Sequence, residues 1–85
     1  MKRVTYDVGG EGAVESWDGE RLVLRAPRAF APGSPIKFAI HFDEGAVAYE
    51  SRSIGSKKRD DGAFDVRMRM VSLRRDDRVR LDSLR

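Results

Sequence analysis

The stretch Glu15–Phe42 reads ESWDGERLVLRAPRAFAPGSPIKFAIHF. It predicts a turn, a half-buried strand, a loop rich in Pro and Gly, and a second strand. In the second strand large apolar residues alternate with smaller or polar ones; these are Ile36, Phe38, Ile40 and Phe42. Successive side chains on a strand point to opposite faces. The alternation therefore predicts one strand face that is buried in a core.

Similar patterns predict the other elements. Four large apolar residues alternate with charged ones in a strand predicted over Ala63–Val71; these are Phe64, Val66, Met68 and Met70. After Ser72, a candidate N-cap, the spacing of the leucines predicts a helix over Leu73–Leu84. The remaining predicted strands are Val4–Val8, Ala13–Ser16, Arg21–Ala26 and Ala46–Ile54. Short strands separated by turn residues and followed by a helix indicate a mainly β fold, a small barrel or sandwich.

Length and composition exclude several classes of protein. The chain has 85 residues, which predicts a single domain over residues 1–85. It contains no cysteine and one histidine, His41, so we expect neither disulfides nor a multi-histidine metal site. No stretch approaches the ~18 apolar residues of a membrane span, and the first residues lack the apolar region of a signal peptide. We therefore expect a cytoplasmic protein that binds no metal and does not insert into a membrane.

The net charge of +3 is unevenly distributed. Residues 1–50 carry 6 basic and 8 acidic side chains, whereas residues 51–85 carry 11 and 6, so the second half is basic. Arginine predominates there, and its rigid fork of donors suits phosphate or carboxylate. Arg67 and Arg69 lie on the polar side of the predicted strand, which makes them candidate partner-binding residues. The alternative is a solvated face, in which pairs such as Asp76–Arg80 contribute only about 0.2–0.5 kcal/mol.

No arrangement of side chains predicts catalysis, so we do not expect an enzyme. The adjacent carboxylates Asp60/Asp61 and Asp76/Asp77 fall where turns and helix starts favour Asp. His41 is predicted to be a solvated strand residue. Trp17 lies in a predicted turn, where a large exposed aromatic residue can anchor a partner. Packing over the mouth of the barrel is the alternative for Trp17, and the same two possibilities hold for Tyr49.

The order of these parts resembles the PilZ domain family, which comprises bacterial cyclic di-GMP receptors and their non-binding relatives. Ser16 and Gly19 match the last two fixed positions of the family's [D/N]-x-S-x-x-G turn. Three further segments match the strand after the turn, the proline–glycine loop and the strand before the helix; these are Leu22-Val23-Leu24, Ala31-Pro32-Gly33-Ser34 and Phe64-Asp65-Val66-Arg67-Met68. The resemblance covers about residues 4–84. It implies a small antiparallel β-barrel of about six strands with a short C-terminal helix.

Two departures from the family pattern concern its ligand site. Val14 occupies the acidic or amide position of the turn, and its side chain cannot accept a hydrogen bond. The family's RxxxR stretch lies upstream of the turn, and this sequence begins too late to contain it: the residue four positions after Arg3 is Asp7. Two arginine forks that would bind phosphate are thus missing. Ser16, Gly19 and Arg3 are therefore predicted to be remnants of a nucleotide site, and no cofactor is expected.

Three functions follow from the resemblance and the basic second half. The first is a PilZ-like regulatory or adaptor domain that does not bind cyclic di-GMP and contacts another bacterial protein, as in pilus, motility or surface regulation. The second is a degenerate cyclic di-GMP receptor. The third is a small β-barrel that binds nucleic acid through the Arg-rich half. That function needs exposed aromatic residues for base stacking, and Arg67–Arg80 contains none, so nucleic acid is not an expected partner.

Overall fold

The computed structural model describes residues 1–85 and contains six strands and one helix. These elements are β1 (Arg3–Tyr6), β2 (Glu11–Trp17), β3 (Arg21–Ala26), β4 (Pro35–Phe42), β5 (Gly45–Lys58), β6 (Phe64–Met70) and α1 (Arg75–Asp82). Every pair of neighbouring strands is antiparallel, and the strands close into a barrel in the order β1-β2-β3-β6-β5-β4. The prediction of a mainly β chain, a small antiparallel barrel with a short C-terminal helix, is confirmed.

The core lies inside the barrel and is built from alternate residues of the strands. In β4 the predicted inward face is buried, and in β6 Val66 and Met68 are fully buried while the terminal Phe64 and Met70 are half-buried. The core residues are Val4, Tyr6, Val14, Trp17, Leu22, Leu24, Ala26, Ile36, Phe38, Ile40, Phe42, Tyr49, Val66, Met68 and Leu81. Burying such side chains contributes about 1.5–3 kcal/mol for each of the large ones, so the alternation of β3, β4 and β6 supplies much of the driving force for folding.

The loop between β3 and β4 is fastened to β5 by hydrogen bonds around Phe30. The Phe30 carbonyl oxygen accepts hydrogen bonds from the hydroxyls of Ser53 (3.0 Å) and Ser56 (2.9 Å), and its ring lies 6.0 Å from that of Tyr6. Gly33 has a φ of 87°, and the Ser34 N–H donates to the Ala31 carbonyl, as in a type II turn. The predicted loop rich in Pro and Gly is thus held against β5 at Phe30 and contains a turn at Pro32-Gly33.

Helix α1 closes one end of the barrel with few apolar contacts. Leu81 is its one buried residue, and the Arg80 guanidinium carbon lies 6.0 Å from the centre of the Phe42 ring. The Trp17 indole N–H donates to the Asp82 carboxylate at 2.9 Å, and the Arg78 guanidinium donates to the Gly19 carbonyl at 2.7 Å. Polar contacts with the β2–β3 turn thus hold a helix whose apolar face is narrow.

Three local predictions differ from the structure. Val8 was expected in the first strand, but it is 59% exposed in the turn that follows β1. That turn closes early because the Tyr6 N–H donates to the Gly10 carbonyl. Ser72 is not the N-cap: it has a φ of 54° in a bend, and Arg74 occupies the N-cap position. The helix is accordingly shorter than predicted at both ends, and Leu73 and Leu84 pack against the core from outside it.

Candidate binding surfaces

The β2–β3 turn, which contains Ser16 and Gly19, is held by its own backbone. The Asp18 carboxylate accepts hydrogen bonds from the backbone N–H groups of Arg21 (2.6 Å) and Glu20 (2.8 Å). These bonds lower the pKa of Asp18, the Arg21 bond having the larger effect. Gly19 has a φ of 97° and Ser16 is exposed beside a bulge in β2. Both residues have conformations that the turn itself requires.

Arg3 does not lie with the turn residues. It pairs in register with Ala13, and its guanidinium contacts the Glu11 carboxylate at 2.8 Å, on the opposite side of Ala13 from Ser16. A second contact joins the guanidinium to Nδ1 of His41 at 3.4 Å, on the outer face of the barrel. Val14, in the position that the family fills with an acidic or amide residue, is buried in the core. The structure therefore does not assemble the three predicted remnants into one site.

Trp17 and Tyr49 are buried, so of the two possibilities left open for each residue the structure shows packing against the barrel and not an exposed anchor. Trp17 is 5% exposed and ends β2, because the bulge between Val14 and Ser16 turns both Val14 and Trp17 toward the core. Tyr49 is 7% exposed, and its ring lies 5.9 Å from that of Phe38. The alternative interpretation, packing inside the barrel, describes both residues.

Arg67 and Arg69 are exposed on the outer face of β6, and strand register places further arginines beside Arg69. Arg69 pairs with Arg21 of β3 on one side and with Arg52 of β5 on the other. Residues in register on neighbouring strands share a face, so the three residues lie side by side on the outside of the closed barrel. We call Arg21, Arg69 and Arg52 the arginine row. All three are exposed.

No carboxylate of the chain forms an ion pair with the arginine row, although the charge of Arg21 contributes to lowering the pKa of the nearby Asp18. The five ion pairs of the protein involve Lys2, Arg3 and Arg59. Of the three side chains in the row, that of Arg52 makes a hydrogen bond: its guanidinium donates to the Gly33 carbonyl, outside the row, at 3.0 Å. Like charges directly opposite each other on neighbouring strands are destabilising. The row is therefore a local electrostatic conflict in the isolated chain.

The same three strands carry a balanced arrangement four residues away. Asp65 of β6 lies in register between Arg25 of β3 and Lys57 of β5. Its carboxylate also contacts the Arg59 guanidinium at 2.7 Å, and that guanidinium contacts Glu15 at 2.5 Å. These carboxylates raise the pKa of Arg59, Asp65 having the larger effect. At this level the sheet thus places the Asp65 carboxylate between two cations. At the level of the arginine row the residue between two cations is a third cation, Arg69.

On one side of the arginine row lie Val23, Arg67 and Gly55, and on the other side the exposed Glu50 lies two residues before Arg52 on the same face of β5. Arg67 lies in register with Val23 on β3 and Gly55 on β5. Gly55 has no side chain, and the Arg67 guanidinium lies 3.8 Å from the position that a Cβ there would occupy. Val23 is half-buried. The surface at the level of Arg67 therefore protrudes little on either side, and the Arg67 guanidinium lies beside Gly55.

A cavity of about 690 Å³ lies elsewhere, between the outer sides of β1, β4 and β5 and the segment that precedes α1. Ala39, Ala48, Leu73 and Tyr49 contribute to its walls, with charged groups that include Lys37 and Asp77. The Tyr49 hydroxyl has no hydrogen-bond partner.

No group of three or more His, Asp or Glu side chains is placed to hold a metal ion. No helix has the length and apolar character needed to cross a membrane.

Comparisons with known proteins identify no relative: no family model, curated protein or solved structure matches this chain. The candidate surfaces are therefore judged by their own chemistry.

Of the residues predicted to bind a partner, Arg67 and Arg69 are exposed and Trp17 is not. Sequence reasoning missed Arg21 and Arg52. Each is an isolated basic residue along the chain, and strand register alone brings them beside Arg69.

Proposed function

We propose that this chain is a PilZ-like adaptor domain that binds an acidic segment of a partner protein through the arginine row and does not bind cyclic di-GMP. One observation carries the proposal: Arg69 lies in register between Arg21 and Arg52, with no ion pair to any of them. A partner that brings carboxylates to this line replaces repulsion with charge-assisted hydrogen bonds. The free energy that the isolated chain loses to like charge is thus recovered on binding.

Arginine on a barrel strand suits this task. The guanidinium fork binds carboxylate with two parallel hydrogen bonds. The three strands that carry the row are held by pairing on both sides in the closed barrel. Their backbone positions are therefore fixed before the partner arrives, which reduces the ordering cost of association.

Three features support the absence of cyclic di-GMP binding. The Arg3 guanidinium is occupied by Glu11, and the side chain of Val14 is in the core. The Gly19 carbonyl accepts its hydrogen bond from Arg78. The chain therefore offers a ligand neither an acceptor at position 14, nor a free guanidinium from Arg3, nor an unbonded carbonyl at Gly19.

Nucleic acid is the less favoured anionic partner. Binding of single strands combines a basic groove with aromatic side chains on which bases stack. The exposed large apolar residues of this chain are Met1, Val8, Val71 and Val79, none of them aromatic. Carboxylates need only the guanidinium groups that the row supplies.

Calorimetric titration separates these functions. We expect no heat of binding with cyclic di-GMP, and binding of a poly-L-glutamate probe that weakens as salt rises. Arg69→Gln should weaken the binding of that probe, whereas Arg28→Gln, an equal charge change in an exposed loop, should not. Micromolar or tighter binding of cyclic di-GMP would contradict the proposal. So would a single-stranded oligonucleotide that binds more tightly than the glutamate probe in the same buffer.

A further inference from the structure

We infer that the cavity between β1, β4, β5 and the segment that precedes α1 binds a basic peptide, in which an apolar side chain lies beside arginine or lysine. No arginine of the row lines this cavity, and the charge of its lining is opposite to that of the row. The inference therefore concerns a second partner and is independent of the acidic segment proposed above. Three observations carry it: the cavity itself, its apolar floor and its carboxylates.

Strand register gives the cavity a floor of small side chains. Ala39 of β4 pairs with Thr5 of β1 on one side and with Ala48 of β5 on the other. All three lie on the outer face, because the residues that alternate with them are in the core. The segment that precedes α1 runs alongside β5, since the Val71 N–H donates to the Glu50 carbonyl at 3.0 Å. The resulting volume of about 690 Å³ is within the range of about 300–1,000 Å³ that ligand sites occupy.

Carboxylates predominate among the charged groups of the lining. Lys37 pairs in register with Glu50, the Asp7 N–H donates to the Lys37 carbonyl at 3.0 Å, and Asp77 of α1 contributes a third carboxylate. None of the three carboxylates forms an ion pair. Arg80, a further cation near this wall, does not line the cavity. One lysine against three carboxylates gives the lining a formal charge of −2, in a chain whose net charge is +3.

A basic peptide matches this combination better than a small amine does. Arginine and lysine lay their aliphatic stems on apolar surface and keep the charged head in polar surroundings, so a stem on Ala39 and Ala48 places its head among the carboxylates. Val71 and Leu73 add branched apolar surface to the wall, which suits an apolar side chain. Tyr49 also lines the cavity, and its hydroxyl is a donor without an acceptor. A peptide carries carbonyl acceptors, whereas a polyamine carries none.

Methyl NMR of the full chain tests the inference with three probes. The first is a capped pentapeptide of sequence glycine-arginine-leucine-arginine-glycine. The second has glutamate in place of both arginines, and the third is spermidine. The methyl signals of Ala39, Ala48, Val71 and Leu73 report on the cavity, and those of Val23 report on the surface beside the arginine row.

We expect the arginine peptide to shift the methyl signals of the cavity and not those of Val23, with an affinity that falls as salt rises. Glu50→Gln should weaken binding about two- to fivefold, the effect of one exposed ion pair. Glu44→Gln, an equal charge change in the exposed turn between β4 and β5, should leave the affinity unchanged. Ala48→Lys should abolish binding, because it places a cation on the floor of the cavity.

Unshifted core methyl signals of Leu22 and Val66 verify that each variant is folded. Arg69→Gln should leave the binding of the arginine peptide unchanged, so the two surfaces are tested separately. The inference would be overturned if the arginine peptide shifted no cavity signal, if the glutamate peptide bound equally well, or if spermidine bound as tightly as the peptide. Each of these results would leave the acidic partner of the arginine row untouched.

Discussion

Two tyrosines inside the barrel differ in whether the hydroxyl has a partner. The Tyr6 hydroxyl donates to the Arg25 carbonyl at 2.8 Å, whereas the Tyr49 hydroxyl makes no hydrogen bond of good geometry, although Arg80 is close enough to act on it. Burial raises the pKa of Tyr49, the Asp77 carboxylate adds to that effect and Arg80 opposes it. Tyr49 is therefore a neutral phenol at physiological pH.

These two hydroxyls give a matched prediction. Tyr6→Phe should lower the free energy of unfolding by about 0.5–1.5 kcal/mol, because a hydrogen bond is lost. Tyr49→Phe should leave it unchanged or raise it, because removing an unsatisfied buried polar group is nearly neutral or stabilising. Urea denaturation of both variants measures the difference. Equal losses in the two variants would show that the Tyr49 hydroxyl is bonded after all.

Asp18 gives the β2–β3 turn a dependence on pH. Its folded-state pKa is lowered from the ordinary value of 3.8 by the backbone N–H of Arg21, then that of Glu20. A carboxyl with a lowered folded-state pKa stabilises the fold above its unfolded-state pKa, and this stabilisation disappears as pH falls through the folded-state value. Asp18 should therefore stabilise the protein at neutral pH and not in strong acid.

Asp18→Asn tests this contribution, because the amide oxygen can still accept a hydrogen bond while the charge is lost. We expect the variant to be less stable than the wild type at pH 7 and the difference to shrink as pH falls below about 3.8. Thermal unfolding followed at several pH values measures the difference. Glu20→Gln, which removes one negative charge from the same turn, is the control. A difference independent of pH would contradict the assignment.

At the scale of the elements, β2 and β3 approach each other most closely at Gly12. A Cβ on Gly12 would overlap the carbonyl oxygen of Arg25 and contact the Tyr6 ring. That carbonyl is also the acceptor of the Tyr6 hydroxyl. The predicted second strand begins at Ala13, but Gly12 already belongs to β2, where only glycine fits.

Gly12→Ala should therefore destabilise the barrel by about 1–3 kcal/mol or more, since backbone atoms must move to admit the methyl group. Gly55→Ala is the matched control within β5, where a Cβ would meet only the flexible Arg67 guanidinium at 3.8 Å. The control should be neutral or stabilising by up to about 1 kcal/mol. Denaturation midpoints measure both variants. A Gly12→Ala protein as stable as the control would contradict the close approach.

Element by element, the sequence predicts regular strands and misses bulges. Alternation predicted β3, β4 and β6 with the correct inward faces, because every second residue there is large and apolar. In β5 the inward positions Ser51 and Ser53 are small and polar, and a register shift follows Ser53, so the predicted strand Ala46–Ile54 is shorter than the observed Gly45–Lys58. The bulge in β2 likewise concealed the inward orientation of Trp17. Bulges depend on pairing between strands, which a single-strand pattern does not contain.

At the scale of the whole molecule, closure of the barrel determines the charge pattern. Arg21 and Arg69 are far apart in the chain, and they meet because β3 pairs with β6. Sequence analysis identified Arg69 as a candidate from the basic second half, but the arginine row needs the order and register of three strands. On the same three strands, the other pair of basic residues, Arg25 and Lys57, has the Asp65 carboxylate between its members. The row is therefore a specific departure from charge balance, and we attribute it to binding.

The account predicts that stability and binding respond oppositely to a change at the centre of the row. Arg69→Glu places a carboxylate between Arg21 and Arg52, so it should raise the free energy of unfolding, with each new opposite-charge pair contributing about 0.2–1 kcal/mol. The same change presents like charge to an acidic partner and should abolish binding. Arg28→Glu, in an exposed loop, should leave both quantities close to those of the wild type.

The most direct test measures both quantities on the same Arg69→Glu sample in a low-salt buffer, where surface electrostatics are least screened. Urea denaturation gives the stability, and calorimetric titration with poly-L-glutamate gives the affinity. The account predicts a more stable protein that no longer binds the glutamate probe. A variant that is less stable than the wild type, or that binds the glutamate probe as the wild type does, would contradict the proposal that the arginine row serves an acidic partner.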